Sequence, residues 1–211
     1  MAEHPVFFEA GDLRLHGMLS PVQASRSAAV ICHPHPLYGG SMDNNVVMAI
    51  ARALGDTGHA TLRFNFRGVG RSEGAYADGV REIDDVRAAL RFVRDNLDAA
   101  TPSLLLAGYS FGAWVAAHAL AVEDAVSSLV LVAPPTAMFD FSVLGADTVH
   151  RARHFIAGER DQFCDSKTLR DIIDRLPEPK SLSVVPDADH FFSGREQPVA
   201  EAVRNVVGEH T

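Results

Sequence analysis

Residues 104–112 read Leu-Leu-Leu-Ala-Gly-Tyr-Ser-Phe-Gly, an apolar run that breaks at Gly108-Tyr109-Ser110-Phe111-Gly112 and resumes as a helical pattern. A serine hydroxyl is a weak nucleophile. For chemistry at Ser110 it must stand on a sharp strand-to-helix turn, open to a base and to a substrate carbonyl. Gly108 and Gly112 flank the turn, where a Cβ would collide with the neighbouring strand or helix. The competing reading is a glycine-rich turn with an incidental serine. An acid and a histidine placed further along the chain argue against it.

The rest of the chain supplies a scaffold for such a turn. Two β-patterned segments, near Val6–Glu9 and Leu13–Leu19, are separated by the turn residues Gly11-Asp12. Apolar runs come next at Ala28–His33, Ala60–Phe66, Leu104–Ala107, Leu129–Ala133, His154–Ala157 and Leu182–Val185. Continuous apolar strands belong in a sheet covered by helices on both faces. Between them, Ile83, Val86, Leu90, Val93 and Leu97 recur at helical spacing, as do Leu169, Ile172, Ile173 and Leu176. Val199, Val203 and Val206 do the same after Pro198, and Asn45–Leu54, apolar nearly all round, reads as a buried helix ending at Gly55. A hairpin followed by repeated β-α units predicts an α/β fold, a mostly parallel sheet of about eight strands with helices on both faces. The 211 residues suit one domain, 1–211, better than two.

Nineteen Lys and Arg against twenty-seven Asp and Glu give a net charge of −8. That disfavours a nucleic-acid surface and offers no basic tract to an anionic membrane. No charged residue occurs between Ala99 and Val122, but Pro102, Gly108, Ser110, Gly112 and His118 interrupt the stretch. It reads as buried strand, elbow and helix rather than a membrane span. Met-Ala-Glu-His-Pro has no basic start and no apolar h-region, so no secretory signal is expected. With two cysteines, Cys32 and Cys164, a reducing, cytoplasmic setting fits.

A serine nucleophile needs a base, and the base an orienting acid. In α/β sheets such groups gather beyond the carboxyl ends of the strands. Asp161 comes after the strand that ends at Ala157-Gly158, and His190 after the last strand, in Asp187-Ala188-Asp189-His190. Ser…Asp…His is the order expected for this elbow. Asp140, beyond the preceding strand, competes for the acid role, as does Asp165, which also reads as a helix cap before Ser166.

His33-Pro34-His35-Pro36-Leu37-Tyr38-Gly39-Gly40 sits where backbone N–H groups could face the oxyanion of a tetrahedral intermediate. The prolines have no N–H, so the nearest donors are His35, Leu37 and Tyr38. His35 N–H with Phe111 N–H is the favoured pair. The rival, His33 and His35 as metal ligands, lacks a matching cluster of Cys, His or acids. Asn65-Phe66-Arg67-Gly68-Val69-Gly70-Arg71-Ser72 lacks the lysine of a phosphate-binding loop. It reads as structural, with Arg67 bonding nearby carbonyls and Gly68 and Gly70 taking angles a side chain would forbid. Cys32 reads as a buried hydrophobe, Cys164 as an accessible thiol that nothing marks as a nucleophile, and His118 as a packing residue.

On these residues the chain resembles the serine hydrolases of the α/β-hydrolase superfamily over nearly its whole length. Within them it is similar to a small, lidless bacterial group marked by a His-Pro-His-Pro…Gly-Gly loop and an Asn-Phe-Arg-Gly-x-Gly-x-Ser turn, here His33–Gly40 and Asn65–Ser72. The resemblance implies Ser110 as nucleophile, Asp161 as acid and His190 as base, in an esterase-type activity with no cofactor; the reading of His33–Gly40 as an oxyanion support leads to the expectation of no metal. Only Pro134 to about Arg153 separates the sixth strand from the next, too little for a covering domain. Met138, Phe139, Phe141, Val143 and Leu144 are expected to form a short helix lining an open site. The expected substrate is a small soluble ester, cleaved through an acyl-enzyme; a thioester or amide would use the same groups. A binding protein on a hydrolase fold would be expected to lack one of the three residues, and none is missing.

Overall fold

All eight apolar or β-patterned segments are strands in the structure, a computed structural model that describes residues 3–22, 25–96, 103–146 and 151–208. They are β1 (His4–Ala10), β2 (Leu13–Ser20), β3 (Ser27–Cys32), β4 (Ala60–Phe64), β5 (Ser103–Tyr109), β6 (Val126–Val132), β7 (Ala152–Gly158) and β8 (Lys180–Val185). One sheet holds them in the order β1-β2-β4-β3-β5-β6-β7-β8. β1 with β2 and β2 with β4 pair antiparallel, and every other pair is parallel. The helices are α1 (Asn45–Asp56), α2 (Glu82–Asp95), α3 (Phe111–Leu120), α4 (Ser166–Arg175) and α5 (Glu196–Gly208).

Strand side chains alternate between faces, so a strand that is apolar throughout must be covered twice. In β3, Ala28, Val30 and Cys32 join one core with α2, α3 and α4, while Ala29 and Ile31 join the other with α1 and α5. In β5, Leu104 and Leu106 take the first face, and Leu105, Ala107 and Tyr109 the second. Each fully buried Leu, Ile or Val contributes about 1.5–3 kcal/mol, so the central strands anchor the domain. The run without charges is β5, the elbow and α3. No helix among the described residues is long and apolar enough to cross a membrane.

Local chemistry sets the helix boundaries. Asn44 caps α1, its Oδ1 accepting from Val46 N at 2.9 Å, and Asp165 caps α4 by accepting from Thr168 N at 2.9 Å. α1 runs through Gly55 to Asp56 rather than stopping at Gly55: the Thr57 amide reaches Ala53 O, which keeps the last turn closed. Leu97, expected to close the α2 pattern, lies outside the described residues.

The Asn65–Ser72 turn is structural, but not through the bonds expected of Arg67. Its guanidinium meets the carboxylate of Asp85 on α2, with Nη2 to Oδ1 at 2.6 Å and Nε to both oxygens at 3.1 Å. Both residues are buried. A carboxylate rather than carbonyls is the partner because a guanidinium out of water requires a counter-charge. Gly68 and Gly70 do take positive φ, 77° and 58°. Ser72 Oγ donates to Asn65 O at 2.7 Å and accepts from His16 N at 3.0 Å, while Asn65 Oδ1 accepts from Met42 N at 2.8 Å. His33, fully buried, joins the same knot: its Nε2 accepts from Phe66 N at 3.0 Å and its Nδ1–H donates to Pro34 O at 2.7 Å.

This knot can be tested at two points. Asp85→Ala strands a buried guanidinium and should cost about 3–5 kcal/mol in urea unfolding. A loss below about 1 kcal/mol would contradict the pairing. Burial lowers the His33 pKa to about 4 against an ordinary 6.5. As pH falls from about 6.5 to about 4 the unfolded chain takes up this proton and the native state does not. Stability therefore drops by about 3 kcal/mol from this group across that window and levels off below it. The 15N shifts of His33 should report a neutral Nδ1–H ring at pH 5.5, where exposed histidines are protonated.

Candidate active site

The elbow is a place where two backbones nearly touch. A Cβ on Gly108 would overlap the Gly112 carbonyl, and one on Gly112 would overlap the carbonyls of Cys32 and His33. Glycine at both positions therefore lets the N-terminus of α3 sit against the ends of β3 and β5. Between them Ser110 is forced to φ 56° and ψ −121°, a conformation that costs a non-glycine residue about 1–3 kcal/mol. Tyr109 and Phe111 on either side are almost wholly buried, and together they outweigh that strain. Ser110 N donates to Val132 O at 3.0 Å, tying the elbow to β6.

The structure brings the three sequence-derived candidates together. Ser110 Oγ lies 2.9 Å from His190 Nε2. His190 Nδ1 lies 2.8 Å from Asp161 Oδ2 and 3.0 Å from Oδ1. The Asp161 side chain is fully buried and that of His190 nearly so. Oδ1 of Asp161 also accepts from Phe163 N at 2.8 Å and Cys164 N at 2.9 Å, which fixes the carboxylate plane. The loops carrying the acid and the imidazole are zipped together by Glu159 N to Val185 O at 3.0 Å and Arg160 N to Ala188 O at 2.8 Å.

The other acids are occupied elsewhere. Asp140 is exposed and caps Ser142, accepting from its N at 2.8 Å and its Oγ at 2.6 Å. Asp165 is the α4 cap. Cys164 is buried rather than accessible, its side chain in the core with Leu169 and its pKa pushed up to about 12 by that burial. His118 packs against Trp114, the rings tilted with centroids 4.4 Å apart.

One contact escaped sequence reading. Tyr109, which looked like an ordinary elbow residue, donates its hydroxyl to His190 O at 2.9 Å. Burial raises its pKa, so the phenol remains a neutral donor. A buried tyrosine hydroxyl usually finds a partner, and that was the available signal.

On the His33–Gly40 loop, Leu37 N donates to His35 Nδ1 at 3.2 Å and Tyr38 N to His35 O at 3.1 Å. The turn Pro36–Tyr38 is a 3-10 helix capped by His35. Of the three donors open at the sequence level, two are thus spent. Among the described residues the N–H groups of His35 and Phe111 have no hydrogen-bond partner, and both residues line the same cleft as Ser110. His35 Nε2 lies 3.1 Å from Tyr76 Oη. Every ring nitrogen of His33 and His35 is therefore engaged within the protein, which leaves none turned toward a metal. No group of three or more candidate metal ligands occurs among the described residues.

The cleft holds about 500 Å³. Pro135, Met138, Phe139, Phe163 and Phe191 form apolar walls, and among the described residues no lysine, arginine or carboxylate lines it. The expected pocket helix differs in the structure. Ser142–Ala146 is a 3-10 turn, and Phe141 and Leu144 point into the core. Only Met138 and Phe139 of that group line the cleft. The turn is too short to present all five side chains to one side. No covering domain stands between β6 and β7 among the described residues.

Comparison with known proteins agrees with this architecture. A family model described as an alpha/beta hydrolase domain matches residues 27–207. An alpha-beta serine hydrolase homologue from Coxiella burnetii is 32% identical, with 97% of each chain covered and a TM-score of 0.87. A Xanthomonas campestris structure described as an a/b serine hydrolase without lid is 33% identical over 98% of this chain and 94% of its own, also at a TM-score of 0.87. An uncharacterised protein of Rickettsia prowazekii is 31% identical over 95% of this chain and 87% of its own length. With the fold, the serine hydrolase neighbours and the matched family model in agreement, the chain belongs to the alpha/beta hydrolase family.

Proposed function

We propose that the protein is a carboxylesterase that works through an acyl-enzyme on Ser110. One observation carries the reading: the unbroken hydrogen-bonded line from Ser110 Oγ through His190 to the buried Asp161 carboxylate. In this mechanism His190 takes the serine proton as Oγ attacks the ester carbonyl. Asp161 holds the imidazole with Nδ1–H toward itself and stabilises the imidazolium. The tetrahedral oxyanion is received by the His35 and Phe111 amides, the latter at the positive end of α3. His190 returns the proton to the leaving alcohol, then activates the water that releases the acid. No metal or cofactor has a part in these steps.

The cleft suggests the substrate class. Apolar walls without a charged side chain favour neutral acyl groups. Only Met138 and Phe139 remain of the expected acyl wall, so the pocket is shallow. The His-Pro-His-Pro segment is read as the oxyanion loop. A cytoplasmic setting is supported by Cys32 and Cys164, both free thiols.

Ser110→Ala should lower kcat for p-nitrophenyl butyrate by about 10⁴–10⁶ without unfolding the protein. Asp161→Asn should also be severely impaired, and Asp140→Asn should stay near wild type. A severe Asp140 defect beside a mild Asp161 one would reassign the acid. Across p-nitrophenyl esters from acetate to palmitate, kcat/KM should gain with each buried methylene, worth about 0.8 kcal/mol, only for short chains. A maximum at palmitate, or strong activation by an emulsified interface, contradicts the open, shallow site.

A further inference from the structure

The segment Glu73–Val80, between β4 and α2, has no place in the mechanism above, yet it is bolted to the rest of the molecule at several points. Gly68 N donates to Glu73 O at 3.0 Å. Ala77 N donates to Oε1 of Glu82, a wholly buried carboxylate at the start of α2, at 2.8 Å. The Tyr76 ring packs on Phe111 at 5.9 Å and on His35 at 5.0 Å. Anchors of this kind around an irregular segment fix something, and what they fix is the Tyr76 hydroxyl.

That hydroxyl lies 3.1 Å from His35 Nε2. The other ring nitrogen of His35, Nδ1, accepts from Leu37 N at 3.2 Å. A neutral imidazole that accepts at Nδ1 must carry its proton on Nε2, so Nε2–H donates and Tyr76 Oη accepts. The ring is further held by Tyr38 and Phe111, each at 4.8 Å between centroids. Were the proton on Nδ1, it would face the Leu37 N–H, and the cap on the Pro36–Tyr38 turn would be lost. The backbone of His35 would then no longer be set by its own side chain.

We propose that Tyr76 is a positioning residue for catalysis: by accepting from Nε2–H of the tautomer that Leu37 N–H selects, it holds the His35 ring where it caps the loop and so aims the His35 amide at the developing oxyanion. This deepens the esterase reading and rests on it. Tyr76 touches no reacting atom, so its effect belongs in kcat and not in KM.

The test combines kinetics on p-nitrophenyl acetate with 15N NMR of the histidine rings and fluorophosphonate labelling of Ser110. Wild-type His35 should show the Nε2–H tautomer. Tyr76→Phe, which keeps the ring packing, should leave the tautomer in place but shift the His35 Nε2–H resonance as its hydrogen bond is lost, and lower kcat about five- to tenfold with KM little changed. His35→Asn retains a short side-chain acceptor for Leu37 N–H and has no ring for Tyr76 to hold. In that background Tyr76→Phe should change kcat by less than about twofold. A purely structural role for Tyr76 would leave the His35 Nε2–H resonance unmoved and the loss equal in both backgrounds, and either result overturns the proposal. So does an Nδ1–H ring in the wild type, which needs no variant to fold. Failure of wild-type Ser110 to label would instead sink the esterase reading, and this proposal with it.

Discussion

The close approach of α3 to the ends of β3 and β5 is the contact on which the site depends. Two glycines allow it, because any side chain at Gly108 or Gly112 would occupy space already held by backbone. That approach pushes Ser110 into a left-handed conformation, turns its hydroxyl out of the sheet and leaves Phe111 N at the head of a helix. About 1–3 kcal/mol of local strain is set against the burial of Tyr109 and Phe111. The same residues that hold the strain also touch the neighbouring histidines: the Tyr109 hydroxyl reaches His190 O, and the Phe111 ring packs against His35. Strain, packing and the line of hydrogen bonds are one arrangement.

The opposite side of the cleft is built on different physics. There no strained residue does the positioning; a knot of buried polar groups does. His33 binds the turn after β4, Asn65 binds the residues leading into α1, and Arg67 with Asp85 ties that turn to α2. Each of these groups is paired, which makes a polar interior tolerable and also specific. A loop rich in proline and glycine thereby acquires a fixed path, and the donor left over among the described residues belongs to His35, which lines the cleft.

Much of this was readable in the residues. Apolar runs located β3 to β8, since a covered sheet leaves little else for such runs to be, and the β-patterned segments located β1 and β2. The order of Ser110, Asp161 and His190 singled out residues the fold brings within hydrogen-bond distance. The features missed depend on tertiary partners. Arg67 could not announce Asp85 across the chain. Nor could the apolar pattern of Met138–Leu144 reveal that a 3-10 turn begins at Ser142 and that Phe141 before it and Leu144 within it are buried in the core. The choice among His35, Leu37 and Tyr38 as donor was open in sequence because it turns on which N–H the His35 ring and carbonyl consume. Asp140 and Asp161 both lie beyond strands; only the loop geometry, with two backbone amides on one carboxylate oxygen, separates them.

The central claim is that Ser110 becomes acylated during turnover. The most direct measurement is rapid acid quenching of the enzyme with p-nitrophenyl acetate, then intact mass and peptide mapping. One acetyl group per chain is expected, on the peptide containing Ser110, formed with a burst of p-nitrophenol and lost as the enzyme turns over. Turnover with no adduct, or an adduct on a residue other than Ser110, would contradict it.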